Sequence, residues 1–407
     1  MIEQQIEFLL KDLVQLDYVV YDSDAVFVKF STDHLHQGLM NEIQSRLSPL
    51  GMSATISNIT TNIEAGVSKD TIILKVERSG NGYGGGRKLF DPKPFTRRFK
   101  WMSHPGFNLA LFIITFLVVF ITGAATILNK AIADQWNLTT GFQFSLSLLG
   151  ILMAHEFGHY FAAKYHKLEV TLPYFLPGIL IPPGLFAGFG GTTLIPGTFG
   201  AFIKIKSPIK TRTQLMDVGA AGPIAGFIVC VAVLLYGFLT IPEKSYAYQF
   251  YDVNSLYDGN PTLFFGSSVL FSLFGSLAGV NMPAMYDIIH YPFIFAGWFG
   301  LLVTALNLLP IGQLDGGHIT YALFGRNQKY LGYVVFAIIL ILGFGLDITS
   351  WIAWAILILV LIKIKHPPVM NENEPLDMKR KLIGVISIII FILSFTPAPV
   401  YEKILTR

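Results

Sequence analysis

The stretch AHEFGHYFAAKYH, residues 154–166, concentrates more chemistry than any other part of the chain. His155 and His159 are four residues apart, so on a helix both imidazoles leave the same face about one turn apart. That spacing suits two nitrogen donors to one zinc ion. Glu156 stands beside them, where its carboxylate is placed to take a proton from a metal-held water. Zinc lowers the pKa of such a water towards about 7, which makes hydroxide available at neutral pH. The bland alternative is a chance H-E-x-x-H in an ordinary helix. Here, however, three ionisable groups interrupt an apolar run, and ionisable groups inside a membrane span default to a functional reading.

Two histidines and a water leave a tetrahedral zinc one protein ligand short, and that ligand should be a His, Asp or Glu at similar depth. The best candidate lies in ALNLLPIGQLDGGH, residues 305–318. Pro310 has no N–H and ends or kinks the helix before it. Asp315-Gly316-Gly317 can then turn back towards the bundle. Taken alone, Asp315 also fits a solvated turn residue after a helix stop.

What must hold these groups in place is a membrane protein. Of 407 residues, 53% are hydrophobic and 14% charged, with a mean hydropathy of +0.56. A soluble domain carries about a quarter charged residues, so the composition excludes an ordinary cytosolic enzyme, a disordered chain and a nucleic-acid binder. Cys230 is the single cysteine, which excludes an internal disulfide and a Cys-rich metal site. The first residues, MIEQQIEFLLKDL, lack the basic start and cleavage site of a signal peptide and are too acidic for a transit peptide. The expectation is insertion through the first span into a bacterial plasma membrane.

Crossing a ~30 Å hydrocarbon core takes about 20 apolar residues. Suitable runs fall near 108–128, 143–165, 218–240, 291–309, 330–346, 350–365 and 381–397. The fold class is therefore mainly α: a polytopic protein of about seven transmembrane helices over 105–398, followed by a short tail, 399–407. Residues 262–280 are too rich in Gly and Ser to be read as a span. The basic stretch holding Arg87, Lys88, Arg97 and Arg98 places the N-terminus inside. Seven spans then put the Lys204–Arg212 loop inside and the acidic 241–290 loop outside. They also bring His155, His159 and Asp315 to the same, cytoplasmic, side of the bilayer.

Between the second and third spans, Leu172–Ile205 is apolar yet crowded with Pro and Gly. Such backbone must be shielded by protein or line a wet cavity. Phe199, Ala201, Ile203 and Ile205 alternate with Gly200, Phe202, Lys204 and Lys206, the period of a strand. A membrane-embedded hairpin over 184–205, or a re-entrant loop that only packs, are the two readings. In front of the spans, residues 1–80 read as a small soluble α+β domain. Strands are expected at 18–21, 25–30, 52–59 and 71–76, with a helix over 34–47. A Gly-rich tether and basic juxtamembrane segment, 81–104, follow.

Together these features resemble the site-2 protease family of intramembrane zinc metalloproteases. His155-Glu156-xx-His159 is similar to that family's first motif, and Asn307-xx-Pro310-xxx-Leu314-Asp315-Gly316 to its second. GTFGAFIKIKSP (197–208) and GAAGPIAG (219–226) fit its middle element. The resemblance covers about 105–397. It implies one catalytic Zn2+ held by His155, His159 and Asp315, with Glu156 as general base. Asn307 would hold substrate or stabilise the oxyanion, and the hairpin residues Gly200, Ala201, Phe202 and Ile203 would pair with an extended substrate strand. The implied partners are single-span or pre-cleaved membrane proteins and the lipid bilayer, with no nucleic acid. The front domain, tether and HPPVMNENEPLDMKRK tail (366–381) most resemble a subgroup of bacteria and plastids, and no inserted peptide-binding module is evident. Residues 1–80 are accordingly expected to dock a regulatory partner or filter substrates. The alternatives are a metal-ion transporter, which lacks an obvious internal repeat, and an inactive binder of membrane clients, against which the intact motifs speak.

Overall fold

The computed structural model describes residues 6, 9–10, 12–22, 25–32, 37–50, 52–64, 67–78, 104–126, 138–178, 196–241, 262–279, 288, 291–346, 348–369, 371–372 and 374–403. The tether and basic segment, the central part of Leu172–Ile205 and most of the acidic loop lie outside the described residues. The chain divides into two compact units: residues 1–100 with 206–208, and the remainder.

In the first unit, β1 (Gln15–Asp22), β2 (Ala25–Thr32), β3 (Met52–Glu64) and β4 (Val67–Arg78) form an antiparallel sheet of order β1-β2-β4-β3. Helix α1 (Gln37–Leu47) packs against it. Alternation places Val26, Val28 and Phe30 on the buried face, opposite Ile72, Leu74 and Val76, and Ile43 and Leu47 of α1 complete the cluster. All four expected strand segments fall within these strands.

The second unit is helical. Helices α2 (Pro105–Thr126), α3 (Leu138–Tyr165) and α4 (Arg212–Leu239) are apolar and long enough to cross a bilayer, as is the helical run Asp315–Gly345. That run comprises α7 (Asp315–Phe324), a 3₁₀ turn and α8 (Gln328–Leu340), extended by a π turn. The expected span at 330–346 is only its second half. Gly325, at φ +60°, marks the break between the halves.

Four helices thus meet the length criterion among the described residues, rather than seven. The other apolar runs form shorter helices: α6 (Pro292–Asn307), α9 (Thr349–Leu357) and α10 (Met378–Ser394). At 1.5 Å per residue, the sixteen residues of α6 reach about 24 Å, short of the ~30 Å core. Pro310 and the turns after it stop α6 before it can lengthen.

Residues 262–279 do not form one continuous helix. They form strand β7 (Thr262–Phe265) and the short helix α5 (Val269–Leu277). The segment read as a short tail supplies strand β8 (Val400–Lys403), antiparallel to β7. The core runs between α3, α4 and α6, where Phe144, Leu148, Ile151, Leu234, Phe295 and Trp298 are buried. Trp298 is anchored through its indole N–H to the carbonyl of Gly266, at 2.7 Å.

Strand β6 (Thr198–Phe202) lies inside the expected hairpin, but its partner does not. It pairs antiparallel with β5 (Tyr174–Pro177), in register Phe175 with Ala201, and an isolated bridge joins Val170 to Ile205. The Pro-rich residues before 178 are extended because proline restricts its own φ and the residue ahead of it. They therefore pair with β6 across the whole insert, and a hairpin over 184–205 is too short to contain the sheet.

Candidate metal and active site

Helix α3 carries His155, Glu156 and His159, all less than a tenth exposed, on the part packed against α4. The two imidazoles meet edge to face, with centroids 4.8 Å apart. His159 Nδ1 lies 2.7 Å from the Val218 carbonyl oxygen of α4. A carbonyl can only accept, so the proton sits on Nδ1 and the Nε2 lone pair is left for another partner. His159 Nε2 in turn lies 3.0 Å from His155 Nε2.

Asp315 closes the group. Its Oδ2 is 3.2 Å from His155 Nε2 and 3.3 Å from His159 Nε2. Ligands about 2.0–2.1 Å from a tetrahedral zinc stand about 3.3–3.4 Å from one another. Two imidazole nitrogens and a carboxylate oxygen at 3.0–3.3 Å therefore fit one small cation with a fourth position open. Asp315 is the first residue of α7 rather than part of a free turn, so its charge also faces the positive end of that helix.

Glycines permit these approaches. A Cβ on Gly222 would overlap His159 Nε2, and one on Gly158 would overlap the Ala221 carbonyl, so α3 and α4 touch backbone to backbone beside the ligands. A Cβ on Gly316 would overlap the Leu308 carbonyl. The loop before Asp315 is pinned from outside by two bonds. Gly312 N–H donates to Ile364 O at 2.9 Å, and Gln328 Nε2 donates to Pro310 O at 2.9 Å. Gln328 itself accepts from His366 N–H at 3.2 Å.

Two cavities flank the group. One, of about 250 Å3, is lined by the three donors and Glu156 together with Ala201, Phe202, Ile203, Asn307 and His318. The other, of about 320 Å3, is mostly apolar and also reaches His155, Glu156, Gly200, Ala201 and Asn307. Glu156 stands where both meet, on the cavity that Ile203 also lines. Asn307, the last residue of α6, places Nδ2 3.4 Å from His155 Nε2. The structure thus brings every residue singled out in the sequence to one locus: the three donors, Glu156, Asn307 and the 200–203 backbone.

Residues 143–344 match the model of peptidase family M50. That region is an M50 peptidase domain. Among curated relatives of this chain is the probable zinc metalloprotease EGY1, chloroplastic, of Arabidopsis thaliana. It is 29% identical over 255 residues, covering 61% of this chain and 42% of the relative. The probable zinc metalloprotease EGY2, chloroplastic, of Oryza sativa subsp. indica is 27% identical over 304 residues, or 74% of this chain and 50% of the relative. The probable EGY3 enzyme of the same plant is 27% identical over 284 residues, or 68% and 44%. The chain thus spans half or less of the length of these relatives. No solved structure matches it. The relatives are chloroplastic, so they lend no support to a bacterial plasma membrane or to a cytoplasmic-facing site.

The M50 site also uses groups that sequence reasoning did not single out for it. Val218 contributes through a carbonyl, which any residue possesses. Gly222 and Gly226, read in the sequence only as part of the GAAGPIAG element, face the rings of His159 and His155. The G-x-x-x-G spacing was the available signal: it marks a close helix approach, and the partner helix here happens to carry the ligands. His318 stays off the cation group and hydrogen-bonds His366, Nδ1 to Nε2 at 2.6 Å.

Proposed function

We propose that this M50 chain is a zinc-dependent endopeptidase that hydrolyses peptide bonds within or next to membrane-spanning segments. The observation that carries this reading is the donor triangle of His155, His159 and Asp315 with Glu156 at its side, where two cavities meet.

His155, His159 and Asp315 would hold the ion, which when bound supplies a polarised carbonyl and a water acidic enough to ionise near neutrality. Glu156 accepts that proton and delivers it to the departing amine, a transfer worth about 10²–10⁴ in rate. Its buried, doubly flanked position keeps it within reach of a substrate on either side. Asn307 directs an amide donor at the same locus and supports the developing oxyanion. Strand β6 pairs with another strand on one side only among the described residues, and an unwound substrate segment adds along the other.

The shorter apolar helices α6, α9 and α10 complete, with the four longer ones, a membrane body built from the seven apolar runs. Substrates are single-span or already trimmed membrane proteins, cut in a regulated manner, and residues 1–80 dock a regulatory partner.

The test is Glu156→Gln in the purified full chain, against a single-span reporter. Hydrolysis should fall at least a hundredfold while bound zinc stays near one per chain by elemental analysis. Hydrolysis at the wild-type rate would overturn the assignment of the base, and wild-type protein that neither binds zinc nor cuts would overturn the whole reading.

A further inference from the structure

Ser350 lies in the first turn of α9, only 4% exposed, and among the described residues its Oγ has no hydrogen-bond partner. An unmade bond at a buried hydroxyl is costly, so a group in this position calls for a partner. Ser350 lines the 320 Å3 cavity whose other walls include Leu148, Leu152, Trp298, Leu302 and Trp354. The same cavity ends on His155, Glu156 and the β6 backbone at Thr198–Ala201. One chamber therefore joins the cutting residues and a strand edge that can hold a peptide, and its mostly apolar wall includes Ser350, whose covered hydroxyl needs a change of rotamer to face it.

From this we infer a specificity pocket: the chamber receives the bulky side chain of the substrate residue beside the scissile bond, and Ser350 selects tyrosine by pairing with its phenol. The inference rests on the peptidase reading above.

The physics of the membrane sharpens the choice. A substrate side chain arriving from lipid already has apolar surroundings, so burial in an apolar pocket gives no transfer energy. Two terms remain. One is the dispersion contact made by filling a preformed void, which favours a ring over a methyl group. The other is the polar pair: a phenol has nothing to bind in hydrocarbon and finds Ser350 here. Hydrogen bonds of this kind between spans measure about 0.6–1.7 kcal/mol, or about 3- to 20-fold in a rate ratio. A lipid acyl chain would fill the same space but would leave the hydroxyl unpaired.

The experiment uses the purified full chain with zinc and four synthetic 20-residue apolar peptides, flanked by lysines and differing only in a central Tyr, Phe, Leu or Ala. Cleavage sites and rates are read by mass spectrometry. Wild type should cut beside the variable residue in the order Tyr, Phe, Leu, Ala, with Tyr about fivefold faster than Phe. Ser350→Ala should bring Tyr level with Phe while keeping Phe ahead of Ala. Val303→Trp, which narrows the chamber from α6, should lower the Tyr-to-Ala ratio at least tenfold while the Ala peptide is still cut, showing that the variant folds. Equal ratios in all three proteins overturn the pocket. A phospholipid that co-purifies with wild type and is lost from Val303→Trp, with ratios unchanged, overturns it in favour of lipid. If wild type cuts none of the peptides, it is the peptidase reading that fails.

Discussion

His159 is oriented twice over: Val218 O holds its Nδ1 proton, and the missing side chain of Gly222 leaves room for its Nε2. Gly222→Ala would push a methyl group into the ligand atom. Disturbing the groups that orient a metal ligand costs about 10–100-fold in affinity, so zinc binding measured by chelator competition should weaken by that factor. An unchanged affinity would show that α4 can shift aside at no cost. A second residue-scale outcome concerns His366, whose pKa is pushed down to about 3, first by burial and then by the neighbouring His318. The unfolded chain takes up its proton near pH 6.5, which the folded chain refuses until about pH 3. Stability from this residue is full above about pH 6.5 and declines as pH falls towards 3. The melting midpoint of wild type in detergent should therefore drop between pH 7.5 and 5.5, and His366→Phe should flatten that slope. Equal slopes would exclude His366 as the origin.

Among elements, α10 is tied to α4 by charge. Arg380 donates to both oxygens of Asp217, at 2.9 and 2.6 Å, and to Asp377 at 2.6 Å, while His166 Nε2 lies 2.8 Å from Asp217. Arg380 and Asp217 are about a fifth exposed, so the pair is partly screened. Arg380→Ala should cost about 1 kcal/mol, a fall of a few degrees in the midpoint. A melt identical to wild type would show the clasp to be ornamental. The sequence announced these helices by their apolar runs and the ligands by their four-residue spacing. It did not announce the pairing of β5 with β6, because the two strands are separated by a long insert and register depends on partners, not on local pattern. The stop of α6 at Pro310 was legible, but the pinning of the loop beyond it was not, since Pro310 and Gly312 are held by Gln328 and Ile364 far along the chain.

At the scale of the molecule, the ligands hang on α3 and α7, each of which packs into a buried hydrophobic cluster. Zinc should then add stability by mass action alone, about 2.7 kcal/mol at a free concentration a hundred times its Kd. Chelation should lower the melting midpoint by several degrees while leaving helical content, read by circular dichroism, unchanged. Loss of helix on chelation would mean that the metal builds the bundle. The large-scale features that composition made legible were those that depend on totals, such as a charge-poor membrane body. Those that depend on three-dimensional closeness, such as Ser350 beside a chamber that ends on Glu156, left no trace in the chain's order.

The donor triangle has one more consequence, in time rather than space. His159 and Asp315 are 156 positions apart. A ribosome adding about 5–20 residues each second delivers the third donor about 8–30 s after the second. Throughout that interval the nascent protein displays two imidazoles and a carboxylate base without the carboxylate that completes the site. Under the proposed activity, the enzyme is thus disarmed during its own insertion. A chain ending at residue 310 should be harmless to the cell that makes it.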